Sequence, residues 1–220
     1  MLGKLCSRLR ATLEARGIGR PTPIQAKAFT YISLGAHVVI SSPTGTGKTE
    51  AALIPIYDHM CRHGARRISV LYVTPLRALN RDILRRVLGI AGELGIDVAL
   101  RHGDTTPKQR RVIAESPPHI LVTTPETLQY LLLDARYRAA FRRLRWIIVD
   151  ELHELMGSKR GSELTIVLER LEHIAGHRIQ RIGLSATLGR PEEAAMFLGG
   201  PYRHVHVVAH SGLRELEITV

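Results

Sequence analysis

Two hydrophobic periods alternate along this chain. Short runs of consecutive apolar residues, rich in β-branched side chains, recur between longer stretches whose apolar positions fall three or four apart. The first pattern predicts strands, the second helices with one apolar stripe, and their alternation predicts an α/β fold with a parallel sheet built from βαβ units. Seven strands are expected: Val38 to Ser42, Ser69 to Thr74, Asp97 to Arg101, His119 to Thr123, Trp146 to Asp150, Arg181 to Ser185 and His204 to Val208. The first five are unbroken apolar runs, as for strands covered by helices on both faces. His204 to Val208 instead alternates, which places it at an edge. Helices are marked by Leu79, Ile83, Val87 and Leu88 and by Leu164, Val167, Leu168 and Leu171. Leu2, Leu5, Leu9 and Leu13 also repeat at helical spacing, in a basic stretch superficially similar to an organelle transit peptide. Because Pro23-Ile24-Gln25 follows so soon, that stretch is expected to belong to the folded domain. Pro55 should kink the helix that contains it, with no chemistry implied.

Composition narrows the class. At 220 residues, 45% hydrophobic and 23% charged, the chain fits one globular domain over residues 1–220 and excludes disorder or a fibrous repeat. Apolar stretches such as Ala51 to Tyr57 fall far short of the roughly 20 residues a bilayer span needs, so no membrane segment is expected. Cys6 and Cys61 form no CxxC pair and are too few for a thiolate metal site, which favours a reducing, cytoplasmic compartment. Lys and Arg number 31 against 20 Asp and Glu, a net charge of +11, and such an excess suggests an anionic partner such as nucleic acid. With aromatics at only 5%, contacts to a phosphate backbone are favoured over base stacking.

The most informative segment is Ser41-Ser42-Pro43-Thr44-Gly45-Thr46-Gly47-Lys48-Thr49, which follows an apolar strand and opens a helix. That context is what a phosphate loop requires. Gly45 and Gly47 let the backbone curl so that successive N–H groups point inward, and the helix adds its positive end. Lys48 would reach the β and γ phosphates of a nucleotide, and Thr49 would ligate Mg²⁺. Ser42 stands where the strict pattern has its first glycine. Downstream, Trp146-Ile147-Ile148-Val149 leads into Asp150-Glu151, two adjacent carboxylates at the carboxyl end of a buried strand. Burying acids costs several kcal/mol unless a cation meets them, and Mg²⁺ is the obvious partner. Asp150 would hold the metal, and Glu151 would orient and deprotonate the attacking water.

These segments resemble a known group. Ser42 to Glu50, Asp150-Glu151-Leu152-His153 and Ser185-Ala186-Thr187 are similar to motifs I, II and III of superfamily 2 helicases, in the same order. Pro23-Ile24-Gln25 resembles the Q motif, whose glutamine reads the adenine edge, so the resemblance implies ATP. The aromatic that DEAD-box proteins carry upstream of that glutamine is missing, and Arg8 and Leu9 stand in its neighbourhood. The implied nucleotide set is Gln25, Thr44, Gly45, Thr46, Gly47, Lys48, Thr49 and Glu50. Thr74 to Asn80, His102-Gly103-Asp104-Thr105, Pro117 to Leu128 and the DELH ending are most similar to the large-helicase-related (Lhr) family. In that family these loops hold the sugar-phosphate backbone of one strand, DNA preferred and RNA possible. By position, the resemblance makes Arg77, Gly103, Asp104, Thr123, Thr124 and Pro125 the nucleic-acid candidates. Arg77 also has a physical warrant, because a guanidinium after a strand suits a phosphate. His153, Ser185 and Thr187 would couple the two sites.

Helicases of this kind clamp ATP between two RecA-like lobes, and the second brings an arginine finger. The resemblance therefore implies a first RecA-like lobe that needs its partner lobe for turnover. A reading from another class also stands: a nucleotide-binding module that scaffolds or regulates without turnover. A transporter ATPase or a GTPase is disfavoured, since neither LSGGQ nor NKxD occurs. Arg136, Arg138, Arg142, Arg143 and Arg145 read as a solvated helical face, and so do His173 and His177.

Overall fold

The computed structural model describes residues 1–75, 88–186, 189–210 and 215–219, with side chains through Ala209. Its strands are β1 (His37–Ser41), β2 (Val70–Val73), β3 (Val98–Arg101), β4 (Ile120–Thr123), β5 (Trp146–Val149), β6 (Gln180–Ser185), β7 (Val205–His210) and β8 (Glu215–Thr219). They form one sheet in the order β3-β4-β2-β5-β6-β1-β7-β8. Every pairing from β3 to β7 is parallel, and β8 alone runs antiparallel, against β7.

The unbroken apolar runs reflect two cores. Val38, Ile40, Val70, Tyr72, Ile120, Val122 and Ile148 face one cluster, which includes Leu9, Leu13, Ala28 and Ile56. Val39, Leu71, Val73, Leu121, Ile147 and Val149 face the other, with Leu164, Val167, Leu168 and Leu171. Alternate residues of a strand point to opposite faces, so a strand covered twice must be apolar at every position.

Two strand assignments need correction. β7 is interior, paired with β1 on one side and β8 on the other. Its alternating pattern arises because His206 stacks on Tyr31, with ring centroids 4.3 Å apart, while Val205 and Val207 enter the core. β3, read as covered on both faces, is one of the two edge strands, with β8 the other, and is only half-buried along its length. The expected helix residues Leu79, Ile83 and Val87 lie outside the described residues. Leu88 is helical but 45% exposed, and Ile90, Ala91 and Leu94 carry the burial there.

The N-terminal helix α1 (Ser7–Ala15) buries Leu9 and Leu13, and the Cys6 N–H donates to Asp58. Helix α2 (Pro23–Ser33) starts with a capping box between Thr22 and Gln25, and helix α3 (Lys48–His63) runs through Pro55. No described helix is long and apolar enough to cross a membrane.

His37, fully buried at the start of β1, accepts the Arg181 N–H at Nδ1 (3.0 Å). Burial, reinforced by the nearby Arg178 and Arg181 guanidiniums, pushes its pKa down to about 3. The unfolded chain therefore takes up a proton near pH 6.5 that the folded chain refuses. His37 favours folding fully above that value, and the contribution is lost as pH falls toward 3. Between pH 7.5 and 5 we expect a loss of about 2 kcal/mol from this group. Urea unfolding at both pH values should show that a His37→Gln variant lacks this part of the slope. Equal slopes in the two proteins would contradict the assignment.

Candidate nucleotide and metal site

In the sheet, β6 lies between β1 and β5, so the loops leaving these three strands meet along one carboxyl edge. Such edges are where open α/β sheets place their ligands. The first loop leaves β1 and ends at Gly47, the N-cap of α3, whose backbone is left-handed (φ 85°) and supplies no side-chain cap. The opening N–H groups of α3 thus have no capping side chain, which suits an anion. A Cβ at position 47 would also run into Gln25 Nε2. Gly45 is left-handed too, and Thr44 and Gly45 are exposed. Within the loop, Ser42 Oγ and Thr46 Oγ1 lie 2.5 Å apart, and Thr46 donates to the Pro43 carbonyl at 2.8 Å. The Lys48 ammonium donates to the carbonyls of Ser42 (2.5 Å) and Pro43 (3.0 Å). Glu50 occupies the first turn of α3.

Gln25 is buried against this loop. Its Oε1 accepts the Thr22 N–H (3.0 Å) and its Nε2 donates to the Gly47 carbonyl (3.4 Å). A primary amide has two N–H groups and two lone pairs, so one of each is left for a base edge. Arg8 and Leu9 are committed elsewhere. Arg8 donates to the Glu93 carbonyl, and Leu9 is in the core.

Asp150 follows β5 directly and is 4% exposed. Its Oδ2 accepts the Tyr72 hydroxyl at 2.5 Å and its Oδ1 the Glu151 N–H at 2.9 Å. Burial raises its pKa to about 6, and the Glu151 charge adds to this. The Tyr72 hydrogen bond and the Lys48 ammonium pull the other way. Lys48 therefore lies close enough to act on Asp150, and Thr49 reaches the same Tyr72 hydroxyl from α3. The loop lysine, the loop threonine and the acid converge, although about a hundred residues separate them in sequence.

The donor set fits Mg²⁺. A threonine hydroxyl and a carboxylate are hard oxygen ligands, and a buried carboxylate whose charge is opposed by burial and by a second acid is one that a divalent cation would relieve. Glu151 adopts a left-handed backbone (φ 48°, ψ 48°), unusual for a residue with a side chain and typical of functional positions. Its Oε2 lies 3.5 Å from His153 Nδ1, which is 3.2 Å from Ser185 Oγ. The Ser185 carbonyl accepts the Ser42 N–H at 3.2 Å, closing a path from the acids back to the phosphate loop.

The remaining candidates gather farther along the carboxyl edge. Gly103 and Thr124 line a cavity of about 680 Å³ with Arg101, Arg110, Arg160 and Tyr130. Asp104, exposed, follows Gly103 in the loop after β3, and its N–H donates to His102 (3.2 Å). Thr123 and Pro125 are buried; Thr123 gives its hydroxyl to the Arg101 carbonyl, and Thr124 caps the helix Pro125–Leu131. Arg77 and Thr187 lie outside the described residues. The three arginines and Tyr130 went unnoticed in the sequence because they come from four separate elements. Tyr72 was also missed, although a hydroxyl in the middle of an otherwise aliphatic strand was its signal. Arg136 pairs with Asp134, and Arg138 donates to the carbonyls of Leu132 and Leu133. His173 and His177 belong to no metal-binding group among the described residues.

Comparison with known proteins identifies the family of the chain. The DEAD/DEAH box helicase profile matches residues 22–195. The chain is 42% identical over 195 residues to the Lhr helicase/probable uracil glycosylase of Mycolicibacterium smegmatis, covering 82% of this chain and 13% of that protein. It is 38% identical to the ATP-dependent helicase Lhr-Core of Saccharolobus solfataricus, covering 90% of this chain and 24% of the relative. The structure of Mycobacterium smegmatis helicase Lhr bound to ssDNA and AMP-PNP superposes with a TM-score of 0.87 at 37% identity, over 96% of this chain and 28% of the other. The chain thus spans about a quarter or less of the length of these relatives.

Proposed function

This chain belongs to the DEAD/DEAH box helicase family, and from that premise we propose that it is the ATP-binding RecA-like lobe of an Lhr-like helicase, converting Mg-ATP hydrolysis into movement on single-stranded nucleic acid together with a second RecA-like lobe. DNA is the favoured strand and RNA the other. The observation that carries the reading is the meeting of Lys48 and Thr49 with Asp150 at the ends of β1 and β5.

The residues divide the work. The N–H groups of Thr44 to Thr49 cradle the phosphates, and Lys48 exchanges its loop carbonyls for phosphate oxygens. Gln25 and Glu50 complete the nucleotide site, with Gln25 turning its spare N–H and lone pair to the adenine. Mg²⁺, held by Thr49 and Asp150, would neutralise charge on the transferring phosphoryl group. Glu151 orients the attacking water and accepts its proton on a carboxylate oxygen. His153 and Ser185 tie Glu151 to the phosphate loop, and together with Thr187 they would make hydrolysis sensitive to the strand. Arg77, Gly103, Asp104, Thr123, Thr124 and Pro125 form the strand track, Thr123 and Thr124 through backbone groups because their hydroxyls are already used. Arg101, Arg110 and Arg160 supply positive charge beside it. A reducing, cytoplasmic setting accords with the free Cys6 and Cys61.

The test takes two steps. A fluorescent ATP analogue should bind the isolated chain with Mg²⁺, and Lys48→Ala should weaken binding at least about tenfold, the effect of losing one charge-assisted contact of about 1.5 to 3 kcal/mol. Supplying a second RecA-like lobe should then raise strand-stimulated turnover by about 10³ to 10⁵, the range of an arginine finger. Intact binding with turnover unchanged by the second lobe would select the non-hydrolysing binding module instead.

A further inference from the structure

Tyr72 is fully buried in the middle of β2, in the core cluster that holds Ile40, Ile54 and Ile148. Every other side chain of that strand is aliphatic, yet this one carries a hydroxyl, and it points to the carboxyl edge. There it donates to Asp150 Oδ2 at 2.5 Å, and Thr49 lies near the same hydroxyl. The two side chains proposed to hold Mg²⁺ thus share one phenol.

The chemistry of the donors gives this contact a direction. A threonine hydroxyl that offers a lone pair to a cation must send its hydrogen elsewhere, since a hydrogen aimed at the metal would repel it. Tyr72 oxygen can accept that hydrogen because its own is spent on Asp150. The carboxylate has about four lone-pair sites. Tyr72 takes one and the Glu151 N–H another, which leaves two available to a cation.

We propose that Tyr72 is a positioning residue of the metal site: it accepts the Thr49 hydroxyl hydrogen, donates its own to Asp150, and so turns the free lone pairs of both ligands toward one Mg²⁺. The inference rests on the Mg-ATP reading above. Groups behind metal ligands commonly change metal affinity 10- to 100-fold when removed. A purely structural tyrosine would change stability and leave the metal response untouched.

The experiment titrates Mg²⁺ into the chain with a fluorescent ATP analogue and repeats the binding in EDTA, for the wild type and for Tyr72→Phe, with thermal unfolding followed in parallel. The wild type should bind more tightly with Mg²⁺. Tyr72→Phe should need about tenfold more Mg²⁺ for half-maximal effect, with nucleotide affinity in EDTA unchanged. Should the phenylalanine variant fail to fold with Asp150 left unpartnered, Tyr72→Met lacks the hydroxyl as well and fills the slot flexibly. A folded variant with the wild-type Mg²⁺ midpoint overturns the inference and leaves the proposed function standing. A wild type that gains nothing from Mg²⁺ overturns both.

Discussion

Replacing Glu151 by glutamine should lower strand-stimulated ATP turnover by about two to four orders of magnitude, the range of a positioned general base, when the chain is supplied with a second RecA-like lobe. Mg-ATP binding should stay within about twofold, because the substitution keeps shape and removes only the ability to accept a proton. The structure favours this split. Asp150, not Glu151, is buried and hydrogen-bonded to Tyr72, and Glu151 is turned out of the strand by its left-handed backbone toward His153. Single-turnover hydrolysis beside equilibrium nucleotide binding checks both halves. A glutamine variant that hydrolyses ATP at the wild-type rate removes Glu151 from the chemistry.

The second large effect concerns the amino end of the sheet. Arg181, on β6, is 1% exposed and donates to Glu169 (2.9 Å), Glu172 (2.8 Å) and the Leu198 carbonyl (3.0 Å). Changing Glu169 and Glu172 to glutamine together strips both counter-charges from a guanidinium that cannot reach water. Leaving a buried charge unpaired in this way costs about 3 to 5 kcal/mol. Arg181→Met should cost less. It removes the buried charge itself, and Arg203 still holds both carboxylates, at 2.7 and 3.2 Å. Urea unfolding of the two proteins gives the order directly, and a methionine variant less stable than the double glutamine variant would reverse the argument.

Much of the site was legible because its parts are short and local. A strand, a glycine loop and a helix start occupy consecutive residues from His37 onward, and glycines at 45 and 47 are the residues that tolerate the left-handed turns found there. Asp150-Glu151 could be read in the same way, as acids directly after an apolar strand. Less could be read of what lies between such segments. The alternation in His204 to Val208 suggested an edge, and β8, which covers that strand, was not foreseen. A half-polar pattern records that one face is poorly buried and is silent about hydrogen-bonded neighbours.

From its order of residues alone the protein determined the local conformations: which stretches are strands, where the phosphate loop turns, and which acids end a buried strand. Backbone sterics and hydrophobic periodicity act over a few neighbours, so a reader of the chain meets all of their causes at once. Tertiary structure decided that β6 separates β1 from β5, that Tyr72 stands between Thr49 and Asp150, and that arginines from separate elements line one cavity. Those pairings depend on how helices and strands far apart in sequence pack against a common sheet, and no short window of residues contains that information.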